Sequence, residues 1–105
     1  MFQVIGTETY HEELSKWPKS DREAAEKLPP KLAEDPHVGQ LLIYPSLREK
    51  RIEGRRIYFL VYDDLTLVLL VATSGKKDQQ ETIDHIKDQF VEYRKLAEEL
   101  IKPTS

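Results

Sequence analysis

Between Tyr44 and Lys77 stand seven bases, Arg48, Lys50, Arg51, Arg55, Arg56, Lys76 and Lys77, against four acids, Glu49, Glu53, Asp63 and Asp64. That segment nets +3, while the rest of the chain nets −6 and the whole chain −3. Overall acidity argues against indiscriminate affinity for nucleic acid, yet a local basic face suits phosphate. Arginine suits it best, because its planar fork can bond two oxygens at once. Phosphodiester cleavage without a metal needs a base for the attacking oxygen, cations for the charge that builds on the phosphate, and an acid for the leaving oxygen. In RNA the attacking group can be the substrate's own 2′-hydroxyl, so positioning supplies much of the rate. Arg56 shares a strand face with Tyr58 and Tyr62, whose rings are candidates for stacking on bases. The same two tyrosines equally suit the amphipathic edge of a core. Antiparallel pairing across the turn at Gly54 would bring Arg48, Lys50 or Arg51 beside Arg56, with Arg55 in the same basic group, and Lys76 and Lys77 lie just past the following strand.

Other chemistries find little support. There is no cysteine, which removes disulfides, thiol nucleophiles and thiolate metal sites together. His11, His37 and His85 lie in separate elements, with no spacing that sets two ligands on one helical face, so neither metal nor cofactor is expected. Ser74-Gly75-Lys76-Lys77 lacks the upstream glycine of a nucleotide-binding loop, Leu70 standing in its place, and ends in lysine instead of serine or threonine. No Gly-x-Ser-x-Gly elbow is present, and Asp63-Asp64 reads as a turn, not as a carboxylate pair across a cleft.

The elements that must position these residues follow from periodicity and punctuation. Phe2 to Gly6 predicts a short first strand, β-branched at Val4 and Ile5. Thr7 or Thr9 caps a helix through His11 to Leu14, which ends at Trp17-Pro18. Ser20-Asp21-Arg22-Glu23 has the form of a capping box, followed by the apolar stripe Ala24, Ala25, Leu28 and Leu32. Pro29-Pro30 either breaks that second helix or restarts it with proline in the first turn. Leu47 to Ile52 is a charged strand. Arg55 to Tyr62 alternates, with Ile57, Phe59 and Val61 facing one way and Arg56, Tyr58, Leu60 and Tyr62 the other. Leu65 to Thr73 is apolar on both faces, as in a strand covered from both sides. Beyond Asp78, the residues Ile83, Ile86, Phe90, Tyr93, Ala97 and Leu100 form one seam along a long helix that docks on its own domain or pairs with a partner helix. The order β-α-α-β-β-β-α predicts an α+β fold: a small antiparallel meander with two N-terminal helices packed on one face and a long C-terminal helix.

A length of 105 residues with 39% hydrophobic and 33% charged predicts one domain over residues 1–105 and excludes a disordered chain. The longest apolar run, Leu67 to Ala72, is far short of the ~18 residues that span a bilayer. The opening Met1-Phe2-Gln3-Val4-Ile5 lacks the basic-then-apolar form of a secretory signal, so a cytoplasmic protein without membrane contact is expected.

The run Leu47-Arg48-Glu49-Lys50-Arg51-Ile52-Glu53-Gly54-Arg55-Arg56-Ile57-Tyr58-Phe59-Leu60-Val61-Tyr62 resembles the second and third strands of the RelE/ParE toxin superfamily. There, a Leu-Arg-x-x-Arg-Ile strand precedes a Gly-x-Arg-x-x-Tyr strand. Val68 to Lys77 resembles the fourth strand and its basic exit, and the long helix after Gln79-Gln80-Glu81-Thr82-Ile83 is most similar to the killer-protein subgroup. The resemblance implies the toxin of a type II toxin–antitoxin pair, neutralised by a cognate antitoxin. It further implies a ribosome-dependent, metal-independent endoribonuclease acting on mRNA, or alternatively a ParE-like gyrase inhibitor or non-catalytic binding protein. Carried over by position, Arg56 matches the arginine that contacts the scissile phosphate, and Lys77, with Lys76, the basic residue after the fourth strand. Arg48, Lys50, Arg51, Arg55, Tyr58 and Tyr62 are then expected to contact RNA, and the C-terminal seam is a candidate homodimer surface. The chain departs from the pattern at three positions. The superfamily's two second-strand lysines fall on Leu47 and Glu49, and the tyrosine after the fourth strand falls on Ile83.

Overall fold

The computed structural model describes residues 1–42 and 44–102. Five strands, β1 (Gln3–Gly6), β2 (Gln40–Leu41), β3 (Leu47–Ile52), β4 (Arg55–Tyr62) and β5 (Leu67–Ser74), form one sheet in the order β1-β5-β4-β3-β2. The α+β class and the three-strand meander β3-β4-β5 agree with the sequence reading. The sheet is mixed, however, because β1 joins its edge parallel to β5, with Ile5 opposite Leu69.

Helices cover both faces of the sheet. On one face lie α1 (Glu8–Ser15), α2 (Lys19–Ala25) and α3 (Leu28–Glu34). Tyr10, Trp17, Ala25, Leu28 and Leu32 close there on Ile57, Phe59, Val61, Val68 and Leu70. On the other face α4 (Gln79–Asp88) and α5 (Phe90–Ile101) bring Ile83, Ile86 and Ala97 onto Tyr58, Leu60, Tyr62, Leu67 and Leu69. The seam foreseen for the last helix is therefore spent on the chain's own sheet. The helix breaks at Gln89, which has left the helical region at φ −105° and ψ 6°, yet Phe90, Tyr93 and Ala97 beyond it still pack inward with Ile83 and Ile86. Ile101 packs inward in place of Leu100, which is exposed.

Local signals explain most boundaries. Thr7 caps α1, its hydroxyl accepting the Tyr10 N–H at 3.1 Å. The capping box at Ser20 does not form: Pro18, at φ −56° and ψ 149°, occupies the cap, and Ser20 lies inside α2. Proline starts a helix without loss because its missing N–H would be unpaired there anyway. The same physics restarts the chain at α3, whose first turn contains Pro29 and Pro30.

Burial holds Tyr10 and Tyr62 in their neutral forms. Desolvation pushes each phenol up to about 12, with Glu26 adding to the rise at Tyr10, while Arg94 opposes it at Tyr62. A raised folded value means stability that is intact below the unfolded value of about 10 and lost as pH climbs through the folded one. The chain should accordingly unfold between about pH 10 and 12, as followed by circular dichroism, and Tyr62→Phe should shift that transition upward.

Candidate functional site

The cation cluster is divided by the sheet. In the β3–β4 ladder Arg48 lies opposite Phe59, Lys50 opposite Ile57 and Ile52 opposite Arg55, all toward the N-terminal helices. Arg48 is consumed there in holding a loop, its Nη1 donating to the His37 carbonyl at 2.9 Å. Arg55 pairs with Asp21 at 3.0 Å and lies 5.3 Å above the Trp17 ring. Leu47, Glu49 and Arg51 point the other way, onto the face of Arg56, Tyr58, Leu60 and Tyr62. Of the β3 cations only Arg51 stands beside Arg56, as its direct cross-strand neighbour.

Arg56 does not lie open to solvent. It is 7% exposed, and its Nε sits 2.6 Å from Oε1 of Glu49, whose side chain is 1% exposed. From the first residue of α4, the Gln79 amide donates to both Glu49 oxygens, at 3.0 and 3.2 Å. The carboxylate is thus bracketed by a guanidinium and an amide, and the guanidinium is neutralised by a residue of the chain itself. Gly39 makes room at the adjoining edge. Its φ of +77° is left-handed, and a β-carbon there would fall 2.5 Å from the Glu49 carbonyl oxygen.

Beside this pair the sheet is irregular. Tyr58 faces Ala72 but Phe59 faces Leu70, so Val71 is a bulge. The extra residue reverses the alternation and turns Ser74 onto the Arg56 face. Ser74 Oγ donates to the Gly75 carbonyl at 2.9 Å and accepts from the Tyr58 hydroxyl at 2.9 Å. Burial pushes the Tyr58 phenol above its ordinary value, the Ser74 bond opposing and the Glu49 charge adding. Gly75 N–H bonds Asp78 Oδ1 at 2.8 Å, closing the turn that carries Lys76 and Lys77. Both lysines and Arg51 are exposed and, among the described residues, without ion pairs.

The tyrosines expected to stack on bases are core residues in this structure. Tyr58 is fully buried under the C-terminal helices, and Tyr62 nearly so, with Arg94 5.4 Å from its ring. What the face offers a polyanion is a rim of Arg51, Lys76 and Lys77 around a buried Arg56. Glu49 and Gln79 escaped the sequence reading. The one sign of them was an acid at the position where the superfamily has a lysine. Among the described residues no group of three or more His, Asp or Glu could hold a metal, and no helix is long and apolar enough to cross a membrane.

No family model matches the chain, and no curated protein matches its sequence. Solved structures do match. The isolated Escherichia coli RelE toxin superposes with a TM-score of 0.65 at 18% identity, over 82% of this chain and 99% of that one. The E. coli RelBE toxin–antitoxin complex gives 0.63 at 20% identity, over 71% and 96%. A RelBE toxin–antitoxin complex from Mycobacterium tuberculosis gives 0.62 at 22% identity, over 70% and 90%. At such identities the likeness is one of architecture, and it agrees with the resemblance seen in the strand motifs: this chain has the fold of the RelE toxins.

Proposed function

We propose that this chain is the toxin of a type II toxin–antitoxin pair, acting on ribosome-bound mRNA as a metal-independent endoribonuclease and neutralised by an antitoxin protein. The observation that carries the reading is the exposed rim of Arg51, Lys76 and Lys77 beside Arg56, on a fold shared with RelE toxins solved alone and with RelB. On this reading the RNA backbone lies over the β3–β4 hairpin end. Arg51 orients it, the lysines balance phosphate charge, and Arg56 serves the phosphate as the 2′-oxygen bonds to phosphorus and the bond to the 5′-oxygen breaks, the 2′-proton passing to water and the 5′-oxygen taking one from it. Arg48 and Arg55 are left out of the RNA contact, since Arg48 holds the His37 loop and Arg55 pairs with Asp21 of α2, and Lys50 lies on the face of the N-terminal helices. An amphipathic segment of the antitoxin is the expected neutralising partner.

A second reading is favoured by one observation, the neutralisation of Arg56 by Glu49. It is a toxin that acts by binding alone, for which the cations are contacts with a target such as gyrase.

Induced expression without a partner gene, combined with mapping of message 5′ ends on translating ribosomes, separates these. The nuclease reading expects growth arrest and new ends confined to ribosome-bound message. It also expects the Lys76→Ala/Lys77→Ala variant to cut about 10²-fold more slowly. Arrest with intact message transfers the conclusion to the binding reading, and unaffected growth removes both.

A further inference from the structure

We infer that Glu49 is an internal anion that fills the phosphate position at Arg56, so that displacing or neutralising it converts this end of the sheet into a tighter site for a phosphodiester of single-stranded RNA. The inference rests on the reading that this face meets RNA, and it adds a residue whose effect is opposite to that of its cationic neighbours.

The geometry carries it. Gln79 of α4 donates to both Glu49 oxygens at 3.0 and 3.2 Å, while Arg56 of β4 faces Oε1 as an ion pair, its buried Nε 2.6 Å away and without a hydrogen bond. Two oxygens of a phosphodiester would engage a guanidinium and an amide in the same manner. Around the carboxylate the exposed charge is mainly cationic, with Arg51 beside Arg56 in the ladder and Lys76 and Lys77 beyond Ser74, the β5 partner of Arg56, against the exposed Asp78 that closes the lysines' turn. A single acid on the strand face of two arginines is thus the sign opposite to the rim that surrounds it.

Energetics point the same way. A buried ion pair recovers by attraction little more than the two charges lost in leaving water, so one anion exchanges for another at little cost once the freed carboxylate swings out to solvent. What holds Glu49 in place besides Arg56 is a neutral amide on the first residue of α4, where a helix frays most readily. Gln79 is therefore a latch on Glu49, and its removal should free the carboxylate without touching the core.

Fluorescence anisotropy with a short labelled single-stranded RNA tests this, with inorganic phosphate as competitor and circular dichroism to confirm folding. Glu49→Gln keeps the shape and removes the charge, and it should tighten RNA binding about tenfold. Gln79→Ala should tighten it about threefold. The gain should vanish in Glu49→Gln/Arg56→Gln. Competition by millimolar inorganic phosphate against Glu49→Gln identifies the phosphate group itself as the ligand. Unchanged or weaker RNA binding by folded Glu49→Gln overturns the inference. Should that variant fail to fold, Gln79→Ala decides: tighter binding supports the inference and unchanged binding overturns it. Binding and cleavage are read separately. A gain in affinity without any message cleavage sinks the nuclease reading alone, and cleavage by the parent with no gain in Glu49→Gln sinks this inference alone.

Discussion

Arg56→Ala is expected to lower the free energy of unfolding by about 3–5 kcal/mol in urea titrations, a core-sized loss for a charged residue. The cause lies in what it leaves behind. Glu49, with a side chain 1% exposed, would keep only the Gln79 amide, and an uncompensated buried carboxylate is far costlier than the pair was favourable. It follows that removing both charges should do much less harm than removing one. Arg56→Met/Glu49→Leu, similar in volume, should fall within about 1 kcal/mol of the parent, and the shortfall from additivity measures the coupling. The double variant also gives a fair test of chemistry, because it stays folded. If Arg56 stabilises the phosphate in flight, that folded variant should cleave ribosome-bound message at least about 10²-fold more slowly. Cleavage at the parental rate would show that the arginine serves structure only. A loss below about 1 kcal/mol in the single variant would show that the ion pair is open to water.

The limits of the sequence are instructive at this same place. Alternation along Arg55–Tyr62 correctly put Arg56, Tyr58, Leu60 and Tyr62 on one face, because period-two burial is a local property of a strand. It could not say which face would be covered, since that depends on where the Ile83, Ile86 and Ala97 seam docks, a contact between distant segments. The break at Gln89 was equally silent: neither glycine nor proline marks it, and the apolar spacing runs through it without interruption. Ser74 reaches the Arg56 face only through the bulge at Val71, and nothing in Val68–Thr73, apolar on both sides, signals an extra residue. At Ser20 two start signals competed, and the proline two residues earlier prevailed because its φ is fixed before any side-chain cap can form. The parallel pairing of β1 with β5 lies beyond local reading altogether, as the two strands are separated by most of the chain.

Substitutions at two consecutive residues show how far the covered sheet changes the functional picture. Tyr58 and Phe59 are both fully buried, one beneath the C-terminal helices and the other beneath the N-terminal ones. Tyr58→Ala and Phe59→Ala should each cost about 3–5 kcal/mol, the range for deleting a buried aromatic ring and leaving a cavity. Tyr58→Phe should cost about 1 kcal/mol, because the ring stays and only its hydrogen bond to Ser74 is lost, while Ser74 keeps the Gly75 carbonyl. A ring that stacked on RNA bases would behave in the opposite way. Its truncation would weaken RNA binding by about 1–3 kcal/mol and leave the urea midpoint nearly where it was. Measuring both quantities on the same three variants therefore assigns Tyr58. A fall in stability with RNA affinity unchanged in Tyr58→Phe makes it a core residue beneath the C-terminal helices. A selective loss of affinity in Tyr58→Ala, with stability intact, would mean that α4 and α5 leave this face when RNA arrives, and that the expected base-stacking surface is formed only then.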